Sequence, residues 1–189
     1  MNRRRWRIPL LLAVLGLGAA AVSALLYSSI DAEVLSIDPH NGYVRVSARD
    51  RAGDALAIRL EDLAIRPGDT IRLECLGTFF NGRTESKNLA GVFSTNASLL
   101  PPAEPHRVPG AIDVGLSRES GRMFYGDEST DIPEDFEIDD TTILVPEGAT
   151  HLFVAPPDTL FSDNHDRDGD FAVRITRLPA AWWPRFLLP

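Results

Sequence analysis

The run Thr70-Ile71-Arg72-Leu73-Glu74-Cys75-Leu76 alternates apolar and polar side chains. A strand sends successive side chains to opposite faces, so this spacing puts one face of a sheet in a core. The same alternation recurs at Val44-Arg45-Val46, at Leu56–Leu60 and at Phe171–Ile175, while Thr142–Val145 and His151–Ala155 are short apolar runs. Turn formers separate them. Arg66-Pro67-Gly68-Asp69 has Pro second and Gly third, the order of a type II turn. Pro146-Glu147-Gly148-Ala149 divides two of the runs. No stretch after residue 31 sustains a 3.6-residue apolar period. Short strands punctuated by turns predict an all-β chain, a sandwich or barrel. Residues 81–141 are the least regular third, with Pro101, Pro102, Pro105, Pro109 and Pro133. Long loops are expected there, with one or two short strands such as Gly110–Leu116.

The start of the chain is different. Residues 8–27 carry no charge and follow Arg3, Arg4, Arg5 and Arg7. At helical rise such a run is about 30 Å long, the thickness of a hydrocarbon core. The arginines hold their end in the cytoplasm, so the chain beyond faces outward. Two readings stand: a transmembrane signal anchor, or a signal peptide cleaved near Val22-Ser23-Ala24. Either places the remainder in the cell envelope, anchored in the inner membrane and facing the periplasm, or exported. The chain then divides into residues 1–31, a β-sandwich over 32–178 and an apolar tail, 179–189. The tail holds Trp182-Trp183 and reads as a cap on the sandwich or as a contact with the membrane interface.

Charge and residue usage exclude several classes. The chain has 27 acidic and 19 basic residues, only one of them lysine, for a net charge of −8. All the acids but only 15 of the basic residues follow residue 30, which leaves that part at −12. Nucleic-acid binding needs the opposite balance. One cysteine, Cys75, allows no internal disulfide and no cysteine zinc site, and reads as a buried small hydrophobe. His40, His106, His151 and His165 are scattered, and no nucleophile elbow, zinc-protease motif or Walker loop occurs. No enzyme is expected. Glu134-Asp135 and Asp139-Asp140 read as solvated turns, with a second cation site as the alternative.

The chemistry concentrates in residues 156–171. Asp158, Asp163, Asn164, Asp166, Asp168 and Asp170 fall within thirteen residues. Crowded carboxylates repel unless they are solvated or share a cation, and calcium takes six to eight oxygens of the kind this segment supplies. Asn164, Asp166, Asp168 and Gly169 occupy positions 1, 3, 5 and 6 of the calcium-loop pattern, but the twelfth position is Ile175 in place of a glutamate. This is a half-loop that another segment would complete.

The runs RPGDTIRLECLGTFFNG (Arg66–Gly82) and DTLFSDNHDRDGDFAVRI (Asp158–Ile175) resemble the PA-I type galactophilic lectins, calcium-dependent β-sandwiches of the galactose-binding-like, jelly-roll type. Pro67-Gly68-Asp69 matches that family's opening turn, and Gly77 its glycine. Asn81 falls where a backbone carbonyl reaches calcium, Asp158 at the loop aspartate and Asp163-Asn164 at the ligand pair. Gly169, Phe171, Val173 and Ile175 match the closing strand. The resemblance implies a calcium site formed by Asn81, Asp158, Asp163 and Asn164. His165, Asp166 and Arg167 are extra to the family's short link before Gly169, and Asp166 or Asp168 could fill the last coordination position. It further implies a galactose-like carbohydrate held through calcium, Asp158, Asp163 and Asn164. Pro105-His106 stands, in reversed order, for the family's sugar-contacting His-Pro. The alternative is a non-catalytic structural module of the cell envelope in which calcium only rigidifies the hairpin.

Overall fold

The computed structural model describes residues 32–44, 50–101, 104, 106–116, 132–158 and 160–179. The segment 8–27 and the tail from residue 180 lie outside the described residues. Among the described residues no helix is long and apolar enough to cross a membrane.

The first sheet is antiparallel, in the order β1 (Ala32–Ser36), β14 (Ala172–Leu178), β5 (Thr70–Leu76), β11 (Asp140–Leu144). The alternating run at 70–76 is its central strand, bonded on both sides. The turn before it closes as its sequence dictates, with the Asp69 amide donating to the Arg66 carbonyl at 3.0 Å. The second sheet runs β10 (Phe136–Ile138), β8 (Leu89–Ser94), β12 (His151–Ala155), β4 (Leu56–Arg59), with β9 (Ala111–Ile112) also on β8. Two smaller pairings complete the chain. β2 (Asn41–Gly42) runs parallel to β3 (Gly53–Asp54), and β6 (Phe79–Asn81) lies between β7 (Glu85–Ser86) and β13 (Asn164–His165).

The main core lies between the two large sheets. Ile71, Leu73, Cys75, Val173 and Ile175 from the first meet Leu89, Phe93, Leu152, Val154 and Phe136 from the second. Each such side chain contributes about 1.5–3 kcal/mol on burial. The second sheet is buried on its other face too. There Ala90, Val92, Phe153 and Ala155 pack under Tyr43, Val44, Val108 and Ile132, which come from connecting segments. The described residues are thus mostly β, in facing antiparallel sheets.

The expectation for 81–141 needs correction. That stretch supplies β7, β8, β9 and β10, and β8 is an interior strand with all six residues buried. Only Ala111–Ile112 of the expected Gly110–Leu116 strand forms. Val44-Arg45-Val46 falls partly outside the described residues.

One consequence positions the candidate site. β5 ends at Leu76 opposite Ala172, the start of β14. At that end β6 continues from β5, and β13 precedes β14, pairing Asn164 with Asn81 and His165 with Phe80. The acidic segment is therefore stapled to the strand that follows the Pro-Gly-Asp turn and β5.

Candidate metal centre

Asn164 is fully buried. Its side-chain Nδ2 donates to the Pro39 carbonyl at 2.9 Å. A carbonyl only accepts, so this bond fixes which way the amide faces. It turns Oδ1 away from Pro39, and that buried oxygen has no hydrogen-bond partner. The preceding residue repeats the pattern, because Oδ1 of Asp163 is also buried without one. Leaving a buried acceptor unsatisfied costs about 1–3 kcal/mol, and more for a charged one. Two in consecutive residues are costly to hold unless something else meets them. The other carboxylate oxygen of Asp163 lies against Gly82, where a Cβ would stand 2.1 Å from it. Gly82 also has a φ of +77°, so both space and backbone demand glycine there. Asp163 and Asn164 thus converge on the Asn81–Gly82 backbone.

The Asn81 side chain is spent on its own turn. Its Oδ1 accepts from the Arg83 and Thr84 amides at 3.2 and 2.9 Å, and its Nδ2 donates to Ser86 Oγ at 3.2 Å. Asp158 lies on the connection from β12, where its Oδ1 accepts from the Leu160 amide at 3.3 Å and its Oδ2 is buried. Asp163 closes a one-turn 3₁₀ helix, Phe161–Asp163. Two contacts hold that turn. The Phe161 ring is buried against Gly42, where a Cβ would lie 2.6 Å from it. Asp50, only 2 % exposed, accepts from the Phe161 and Ser162 amides at 2.8 and 3.1 Å.

Asp166 and Asp168 belong to a different arrangement. Asp166, Asp168 and Asp170 each place a carboxylate oxygen within 4.8 Å of the others. Asp166 closes the loop before β14, its oxygens accepting from the Gly169 and Phe171 amides at 2.9 and 3.2 Å. Asp170 accepts from the Thr78 amide at 3.1 Å and so ties the loop to the end of β5. Asp168 is exposed, and the negative charge of Asp170, more than desolvation, pushes its carboxyl above the usual range. Beside this trio the Arg167 guanidinium lies over the Phe80 ring at 4.4 Å. The rings of His165 and His40 meet edge to face at 5.5 Å.

His106 is placed elsewhere, paired with Glu134 at 3.1 Å. Among the described residues, no hydrogen bond, ring contact or ion pair joins it to Asp163 or Asn164. Asp140, in the second acidic run, is held below the usual carboxylate range by its hydrogen bond to Arg72. A cleft of 680 Å³ opens beside β4 and β12, lined in part by Arg59, Ile65, Arg66, Ala149 and His151. It contains none of the residues expected to hold calcium or sugar. The sequence reading missed Asp50 altogether, since nothing in its neighbourhood marks a partner 111 positions away. Asp170 was visible only as one acid among many. Comparison with known proteins finds no matching family model, no matching curated protein and no matching solved structure.

Proposed function

We propose that this chain is a calcium-binding β-sandwich of the galactose-binding-like type, working as a carbohydrate-binding module on or beyond the inner membrane. The observation that carries the cation is Asn164, fully buried, with its amide nitrogen committed to Pro39 and its oxygen unpartnered, as is the buried Oδ1 of the adjacent residue Asp163. Carboxylate and amide oxygens together suit a hard divalent cation of calcium's size. Asp158 and the main-chain oxygen of Asn81 are the further donors this reading uses, with Asp166 and Asp168 as outer ones. The sugar rests on the resemblance of Arg66–Gly82 and Asp158–Ile175 to galactophilic lectins, in which vicinal hydroxyls enter the calcium shell.

The full burial of Asn164 favours a second reading, a structural module whose cation is enclosed and serves only to fix the hairpin. Two measurements separate these. Calorimetric melting in millimolar calcium and in chelator should show a higher Tm with calcium; no shift would sink the cation in both readings. A glycan array with and without calcium should show calcium-dependent galactoside binding. An empty array on a protein that calcium does stabilise would leave the structural module standing.

A further inference from the structure

Asp50 is nearly inaccessible, and the two amides it accepts from lie 111 and 112 positions away in sequence. Each of its carboxylate oxygens takes one amide, Oδ2 that of Phe161 and Oδ1 that of Ser162. These are the first two residues of the 3₁₀ turn whose third is Asp163, with Asn164 next. A charged acceptor makes stronger hydrogen bonds to backbone amides than a neutral one, and burial strengthens them further. The same turn must hold two acceptor oxygens out of water with no donor to meet them. Left to itself, the segment would relax by rotating those oxygens toward solvent or toward free amides. Asp50 already occupies the amides of Phe161 and Ser162, the two residues immediately before Asp163.

We infer that Asp50 is the positioning residue of the cation site: it fixes the 161–164 turn so that the Asp163 and Asn164 oxygens stand ready before a cation arrives. This rests on the cation reading proposed above. Each Asp50 oxygen accepts one backbone amide of the turn, so the role assigned to it is to hold that turn rather than to supply a ligand. It acts as the outer partners of metal ligands do, whose loss typically lowers metal affinity about 10- to 100-fold.

The test uses the 189-residue chain with Asp50→Asn, which keeps the shape and one acceptor oxygen while removing the charge. Calcium affinity is measured by titration calorimetry. Europium, as a calcium surrogate, reports its number of bound waters through luminescence lifetimes in light and heavy water. Asp50→Asn should bind calcium about 10- to 100-fold more weakly, and its europium should gain at least one bound water. Gly91→Ala, in the other sheet, should lower the Tm yet leave affinity and water number as in the parent protein. If Asp50→Asn does not fold, Asp50→Glu carries the test by the same criteria, since it keeps the charge and moves the acceptors by one methylene. A parent protein that binds calcium, with a folded Asp50 variant of equal affinity and equal water number, would overturn this inference alone. A parent protein that binds neither ion would overturn the cation reading, and this inference with it.

Discussion

Cys75 points from β5 into the main core, and burial pushes its thiol up to about 11. The unfolded thiol ionises near 9.0, so the folded form resists an ionisation that the unfolded chain undergoes. The sign follows from linkage: between those two values the thiol favours unfolding increasingly as pH rises. The stability of the parent protein relative to Cys75→Ala should therefore fall by up to about 1.4 kcal/mol per pH unit above 9. Urea unfolding at pH 8 and pH 10 measures it, and an equal difference at both would contradict the burial argument. Asp168 tests the outer acidic trio. Its carboxyl is raised chiefly by Asp170, so its charged form is disfavoured in the folded state at neutral pH. Asp168→Asn should raise the Tm at pH 7 in chelator. That gain should fade as pH falls through the carboxylate range, where the parent residue takes up its proton. Melting curves at pH 7 and pH 4 decide it.

β8 shows how an element can be decisive in the fold and silent in the sequence. Leu89-Ala90-Gly91-Val92-Phe93-Ser94 does not alternate because both of its faces are covered. Leu89 and Phe93 enter the main core, while Ala90 and Val92 enter the second one. Gly91 sits where a Cβ would stand 2.9 Å from Ile138 Cδ1 and 3.1 Å from the Phe136 ring, so β10 is packed directly on its backbone. Gly91→Ala should cost about 1–3 kcal/mol through overpacking, read from chemical denaturation. A change within a few tenths would mean that β10 moves freely. β5 and β14 were legible in the sequence because the first sheet buries one face of each strand more fully than the other. Turn residues showed where Thr70 begins. The candidate site was legible to the same extent. Asn164 stands out by spacing, Asp163 as one acid in a crowded segment, and the Asp163-Asn164 pair and Asn81 as ligands only through the resemblance to the galactophilic lectins. Nothing local separates Asp166, which spends both oxygens on the loop, from Asp163, which leaves one unmet. That difference arises from the β13–β6 register and from the distant carboxylate of Asp50, neither of which a linear pattern records.

On the scale of the molecule, the described chain enters and leaves the first sheet at the end opposite the candidate site. Ala32 pairs with Thr176 and Leu178 with Thr70, whereas Ala172 pairs with Leu76, beside the strands that carry Asn81 and Asn164. Seven residues of β14 separate the two ends, roughly 20 Å at strand rise. The site is joined to the core through β5 and β14, which run the whole length of that sheet. A cation bound there should thus stabilise the entire sandwich, in one cooperative transition. With calcium at about 100 times its Kd, mass action adds about 2.7 kcal/mol. For a chain of this size that corresponds to roughly 5–11 °C in Tm. Asn164→Ala and Asp163→Ala should each abolish the calcium-induced shift, and Glu134→Ala, paired with His106 elsewhere, should retain it. Deleting residues 180–189 should also retain it, since none of the proposed ligands lies there. Calorimetry of these four variants with calcium and with chelator tests the layout directly. A shift lost with the tail but kept in Asn164→Ala would refute the assignment made from Asn164.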